Sequence, residues 1–316
     1  MQRSSPIIAA ALLTAVAVTV AVAVAPVPAL ALTADPQWID TWSASMDSAG
    51  PPLKLQSVMA SFTLLALRPA VATQPAPQIP GTKWSTNDMA RPQPPDVTPG
   101  ISECQGSPPP SDAIVLFDGH DLSHWTGDNL DQWAVKDGLM VTIGQRSGHL
   151  LSKEHFGDAQ VHVEFRSQPE AMSQANSQFR SNSGVFLMDL YEVQVLGSYH
   201  SPTYADGTAA AVYGQWPPLA NASLPPGRWQ CYDILFRAPR FRDGRLAQAG
   251  DVTVLHNGVL AQLATPILGP TSQHPDFAHY PPHADELPLG LQLHGDGISA
   301  VPYRNIWVRR LQLNRP

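Results

Sequence analysis

The chain has 316 residues, with 26 Asp or Glu against 19 Lys or Arg, a net charge of -7 and a charged fraction of only 14%. Charge this sparse and slightly acidic forms no basic stripe, which argues against nucleic acid and anionic membrane surfaces as partners. The length could hold two domains, but roughly half of the 32 prolines fall before residue 112, which points to one folded unit behind a long irregular approach.

In chain order, Arg3 precedes an uncharged apolar run from Ile7 to about Ala25, followed by Pro26 and the small-x-small pattern Ala29-Leu30-Ala31. Residues 1–31 are therefore expected to be a signal peptide cleaved after Ala31, giving a secreted or cell-envelope protein with no membrane association after cleavage. An uncleaved anchor is the competing reading, because the run approaches the ~20 apolar residues that span a bilayer. Residues 32–111 are Pro-rich, as in Gln74–Pro77 and Pro92–Pro95, and are expected to be an irregular, poorly ordered tether. Cys104 and Cys231 are the only cysteines, and whether they pair is open at this level.

The pattern changes at about residue 112. From there to residue 316 short segments of period-two alternation are separated by Gly, Pro, Asn and Asp, which predicts an all-β, jelly-roll-sized sandwich with no long helix. Val161–Arg166 alternates with Val161, Val163 and Phe165 inward and His162, Glu164 and Arg166 on the other face. In Tyr191–Leu196, Glu192 and Gln194 share one face and Tyr191, Val193 and Val195 the other. Trp229–Ile234 reads as a strand carrying Asp233. Asn257-Gly258 between Val252–Leu255 and Val259–Leu260 predicts a type I′ hairpin, which needs positive φ at both turn residues. Leu289–His294 leaves Gln292 and His294 opposite its leucines, and Tyr303–Val308, with Arg304, reads as the closing strand.

The candidate site follows from these faces. If the strands carrying Glu164, Glu192 and Gln292 are neighbours in one sheet, their polar side chains converge with Asn182 on a concave surface. Carboxylate, amide and imidazole together match the hydrogen-bonding needs of sugar hydroxyls. Glu192 and His294 are the catalytic candidates; Asn182, Gln194, Gln292, Glu164, Arg166 and Arg304 are the substrate-binding candidates. Each has a plainer reading, such as a solvated strand face for Glu192 and Gln194 or a turn histidine for His294.

In order along the chain, Leu116–Trp125, Trp133–Leu139, Phe156–Arg166, Asn182–Leu187, Tyr191–Val195, Trp229–Ile234, His256–Val259, Leu291–Gly295 and Tyr303–Trp307 resemble the 3-keto-disaccharide hydrolase family, long known as a domain of unknown function. The resemblance runs from about Ile114 to Leu313. It implies a concanavalin-like jelly-roll domain over residues 112–316, related to laminarinase-type glycosidases and acting on glycosides already oxidised at the sugar C3. Gly197 stands where relatives often have Asp, and Cys231 where Thr is common.

The chemistry fits that implied substrate. A retaining glycosidase needs two carboxyl groups ~5 Å apart, whereas Glu192 is followed two residues on by the amide Gln194. A ketone at C3 acidifies the C2 proton and lets one base start elimination at C1, with water addition completing net hydrolysis. Glu192 or His294 is expected as base and the other as acid or orienting group, with amide donors on the enolate oxygen. A divalent metal on His294 with Glu192 or Glu164 could serve instead, although no tight ligand spacing demands it. The end product fits a hydrolase or a lyase. A separate C3-oxidising enzyme must act upstream, since no dinucleotide-binding Gly-rich turn is present. The alternative function is a non-catalytic carbohydrate-binding β-sandwich module, with Trp125, Trp133 and Trp229 as its stacking platform.

Overall fold

The computed structural model describes residues 75–106, 108–168, 177–201, 203–296 and 300–313. The expected signal peptide and residues 32–74 of the Pro-rich segment lie outside them.

Fifteen strands are formed among the described residues: β1 (Ile114–Phe117), β2 (Trp125–Thr126), β3 (Trp133–Lys136), β4 (Leu139–Thr142), β5 (Gly148–Phe156), β6 (Ala159–Arg166), β7 (Ser183–Leu187), β8 (Tyr191–Val195), β9 (Trp229–Arg237), β10 (Arg240–Arg242), β11 (Arg245–Gln248), β12 (Asp251–His256), β13 (Val259–Pro266), β14 (Leu287–Leu293) and β15 (Tyr303–Arg310). The larger sheet runs β13-β12-β9-β6-β15-β4-β3, with β1 also on β15; the smaller runs β2-β5-β14-β7-β8, and β10-β11 is a separate hairpin. Every strand pairing is antiparallel, as a sandwich of hairpins and Greek-key returns requires.

Alternation explains how the sheets pack. Val161, Val163 and Phe165 of β6 and Tyr232, Ile234 and Phe236 of β9 form one wall of the core. Val185, Val193, Val195 and Leu291 of the smaller sheet form the other. Each such side chain, fully withdrawn from water, contributes about 1.5–3 kcal/mol of transfer free energy. The β12–β13 turn is the predicted one, with Asn257 at φ 53° and Gly258 at φ 80°.

The Pro-rich approach is irregular, as expected, but from residue 75 onward it is not a loose tether. Ile79 is fully buried, Thr86 Oγ1 donates to Gly214 O at 3.0 Å, and Val97 N donates to Asn221 O at 2.9 Å. Its far end is fixed by a Cys104–Cys231 disulfide that closes 127 residues of sequence, and Cys104 N donates to Trp229 O at 2.9 Å. Proline removes backbone donors without preventing this docking, because the remaining donors find acceptors on the sandwich and the prolines themselves cost little entropy to order.

A cross-link closing so long a loop restricts the unfolded chain strongly. Replacing both Cys104 and Cys231 by serine should lower unfolding stability by about 2–5 kcal/mol. Denaturant titration under oxidising conditions measures this, and an unchanged midpoint would show that the segment is held without the bond.

Candidate active site

The open face of the smaller sheet is set out in rows by its strand register. In one row His149 on β5 pairs with Gln292 on β14, and Gly184 on β7 pairs with Gln194 on β8. In the next, Gly290 pairs with Leu151 and Phe186, and Phe186 pairs with Glu192. Opposite them Tyr191, Val193 and Val195 enter the core, which is why Glu192 and Gln194 must face the other way. With Asn182, His294, Tyr213 and Thr271–Gln273 these side chains line a pocket of about 320 Å³.

Two glycines make room for the acids. A Cβ on Gly184 would lie 2.3 Å from Glu192 Oε1 and 2.7 Å from Phe186 Cε2, and one on Gly290 would lie 2.9 Å from Asp189 Oδ1. Asp189 sits in the tight β7–β8 turn, where Met188 and Asp189 both adopt φ 55°. From there its carboxylate reaches His149, Oδ1 to Nδ1 at 2.5 Å, while the His149 ring packs on Phe186 with centroids 4.0 Å apart. A carboxylate on Nδ1 fixes the imidazole with Nε2 as the proton acceptor. His294 Nδ1 is held in the same manner by Asp296 Oδ2 at 2.8 Å.

Glu192 is 5% exposed, and burial alone raises its carboxyl pKa to about 8, so at neutral pH it carries its proton. Its backbone N–H donates to Thr271 Oγ1 at 2.9 Å. The buried Oε1 atoms of Gln194 and Gln292 have no hydrogen-bond partner within the protein. Buried acceptors are rarely left so, and ligand hydroxyls would satisfy both. Asn182 lines the pocket with its own Nδ2 donating to Gln178 O at 2.9 Å.

Three expected members belong elsewhere. Glu164 and Arg166 on β6 and Arg304 on β15 lie on the larger sheet, on the face turned away from the core. Glu164 is there fully buried, bonded to Arg304 Nε at 2.6 Å and Asn305 Nδ2 at 2.8 Å, with His162 Nε2 at 3.4 Å. A register shift in β15, with Asn305 at φ 45°, turns both Arg304 and Asn305 toward it. Arg166 and Arg304 both lie over the Trp229 ring, at 4.9 and 4.1 Å from its centroid. Alternation shows that these polar faces exist, but it does not say to which sheet each strand belongs. Trp125, Trp133 and Trp229 are all buried, so none offers a stacking platform. Among the described residues no three His, Cys, Asp or Glu side chains gather as a metal-binding group, and Glu164 is on the wrong sheet to join His294.

His149, Asp189, Tyr213 and Thr271 are pocket or dyad residues that the sequence reading missed. A signal existed for the first two: Leu150 and Ser152 are buried positions flanking Leu151 on β5, which turns His149 outward, and Asp189 lies in the short link between two strands. Gly197 leaves no room for any side chain, since a Cβ there would stand 2.8 Å from Arg180 O. Cys231 is accounted for by its disulfide.

A family model described as the 3-keto-alpha-glucoside-1,2-lyase-like domain matches residues 112–309. A solved structure from Parabacteroides distasonis, provisionally named a glycosyl hydrolase, is 39% identical over 75% of this chain and 100% of its own, with a TM-score of 0.60. A second glycosyl hydrolase of the same organism, also provisionally named, is 19% identical over 63% of this chain and 99% of its own, with a TM-score of 0.43. An alginate lyase is 14% identical over 60% and 88%, with a TM-score of 0.34. No curated protein matches the chain significantly.

The state of Glu192 has a measurable cost. Its folded pKa of about 8 lies above the ordinary carboxyl value of 4.5, so its contribution is favourable below about pH 4.5 and is lost as pH rises through about 8. Glu192→Gln, which keeps the shape and cannot ionise, should therefore match the wild type near pH 4 and exceed its stability by about 5 kcal/mol at pH 9. Denaturant titration at the two pH values is the measurement, and an equal difference at both would mean that Glu192 is solvated.

Proposed function

The chain belongs to the 3-keto-alpha-glucoside-1,2-lyase-like family, and from that premise we propose that it cleaves glycosides whose sugar already carries a ketone at C3. The observation that supports this reading is a carboxyl kept protonated by burial on the same open face as an imidazole oriented by a carboxylate. Ordinary double displacement is not favoured here, because Gln194 occupies the next position on that face, Glu164 lies on the other sheet, and the Asp189 and Asp296 carboxylates are engaged by His149 and His294.

His149 Nε2 takes the C2 proton, and the electron pair moves onto the C3 oxygen as an enolate. The side-chain amides of Gln194 and Gln292 donate to that oxygen, and their carbonyls accept from substrate hydroxyls. Collapse of the enolate breaks the C1–O bond, and Glu192 gives its proton to the departing oxygen. Stopping there is lyase chemistry. Addition of water at C1, with the His149 proton returned to C2 and a water proton passed to Glu192, gives net hydrolysis. His294, held by Asp296, and Asn182 orient the substrate from one end of the pocket. A separate C3-oxidising enzyme supplies the substrate. We place the protein in a secreted or cell-envelope setting, a reading supported by the Cys104–Cys231 disulfide, since such bonds persist in oxidising compartments.

Release of aglycone from a 3-keto-glucoside, set beside its unoxidised parent, tests the reaction directly; equal turnover of both would sink the keto-sugar mechanism. Glu192→Gln and His149→Asn should each lower turnover by about two or more orders of magnitude, as loss of a general acid or base does. Because the acid must hold its proton, kcat/KM should fall as pH rises through about 8, and a flat profile to pH 10 would remove Glu192 from that role.

A further inference from the structure

We propose that residues 86–91 of the Pro-rich segment brace the two loops that close the pocket, with the buried Arg91–Asp206 pair as the positioning element that sets how tightly substrate is held. The proposal rests on the pocket being the substrate site.

The first loop, residues 204–216, runs along the free edge of β8. Gln194 N donates to Ala211 O at 3.0 Å, Ala210 N to Gln194 O at 2.9 Å, and Tyr213 N to Glu192 O at 3.2 Å. It thus fixes the backbone of both pocket residues of β8 and brings Tyr213 into the lining. Apart from a 3-10 turn at Ala205–Gly207 and single bridges from Val212 to Val193 and Trp216, it has no regular element of its own, so its outer side takes its support from what lies behind it.

Behind it is the Pro-rich segment. Asp206 is fully buried; its Oδ2 accepts from Asn87 N at 3.0 Å and lies 4.0 Å from Arg91 Nη1. Arg91 Nη1 also donates to Gln215 O at 2.9 Å, and Thr86 Oγ1 to Gly214 O at 3.0 Å. Gln215 carries the linkage to the second loop, with Nε2 donating to Gly269 O at 2.9 Å and Oε1 accepting from Leu268 N at 2.8 Å. Asn87 Nδ2 reaches the same loop at Gln273 O, 3.4 Å away. Gly214, at φ 68°, lets the three segments close up, since a Cβ there would stand 2.8 Å from Ser272 O and 3.2 Å from Thr86 Cγ2.

A buried ion pair gains little net stability, because desolvation offsets much of the attraction, whereas breaking it leaves a charge stranded. What this pair secures is the outer side of the first loop, whose inner side Ala210 and Val212 already anchor in the core, and through Gln215 the placement of the second. Arg91 and Asp206 touch neither substrate nor acid or base, so their effect falls on binding before chemistry.

Arg91→Met should raise KM for the 3-keto-glucoside about tenfold while changing kcat by less than about threefold, and Arg91→Lys should recover part of the loss. Amide exchange in the substrate-free variant should accelerate over residues 205–216 and 268–273 and stay unchanged in β7, β14 and β6. Asn87→Gly, which keeps the backbone at its φ of 61° and removes only the bond to Gln273, decides the same question should Arg91→Met not fold: exchange should then accelerate over residues 268–273. Unaltered exchange in both loops, or a fall in kcat with KM unchanged, would overturn the brace. If the wild type cleaves no 3-keto-glycoside, the proposed reaction fails, and the exchange measurement still decides the brace.

Discussion

A strand that buries one face must commit every other residue to the opposite face, and the pocket of this protein follows from that constraint applied to one hairpin. Tyr191, Val193 and Val195 are anchored among the apolar side chains between the sheets, so Glu192 and Gln194 have a single direction left to them. Antiparallel pairing then opposes Glu192 to Phe186 and Gln194 to Gly184. A slip of one residue would drive a carboxyl into the core and three apolar side chains into the pocket. The hydrophobic core is therefore what aims the chemistry.

The two sheets treat the same residue type in opposite ways. Glu192 sits without a neighbouring cation to lower its pKa, and burial raises it to about 8. Glu164 also suffers desolvation, but the bonds from His162, Asn305 and Arg304 outweigh it and hold the carboxyl below its ordinary value. Burial pulls His162 down as well, yet Asp233 and Glu164 raise it to about 9. The cluster on the larger sheet is thus internally compensated, a set of charges partly covered by the Pro-rich segment, where Arg304 Nη2 donates to Cys104 O at 2.8 Å. The group left uncompensated is the one facing the pocket, which is where perturbed acids do chemical work.

Much of the fold was legible in the sequence because period-two alternation and turn chemistry are local. The Asn257-Gly258 hairpin, the inward faces of β6, β8 and β14 and the all-β architecture each follow from a few adjacent residues. The family resemblance added the sandwich type and the chemistry to test. Which polar faces meet is not local: β6 and β8 alternate alike, and only pairing across distant segments sends Glu164 to one sheet and Glu192 to the other. For the same reason His149 was missed, since its partner Asp189 is 40 residues away and reaches it across a glycine in a third strand. The Pro-rich segment misled for a different reason. Its composition reports a low tendency to form strands or helices, and says nothing of side chains such as Ile79, Thr86 and Arg91 that find places on an existing surface.

The docking of that segment also orders events in time. Residues 86–91 and Cys104 precede nearly everything they touch, and Cys231 follows Cys104 by 127 residues. At ~5–20 residues per second of synthesis, the segment emerges roughly 6–25 seconds before its cysteine partner exists. Throughout that interval it has no surface to bind. A chain composed mainly of proline and small polar residues is suited to waiting: it has few donors to pair wrongly and little apolar area to collapse. The composition that leaves the segment with little structure of its own is then what keeps it available until the last strands close the sandwich and give it somewhere to go.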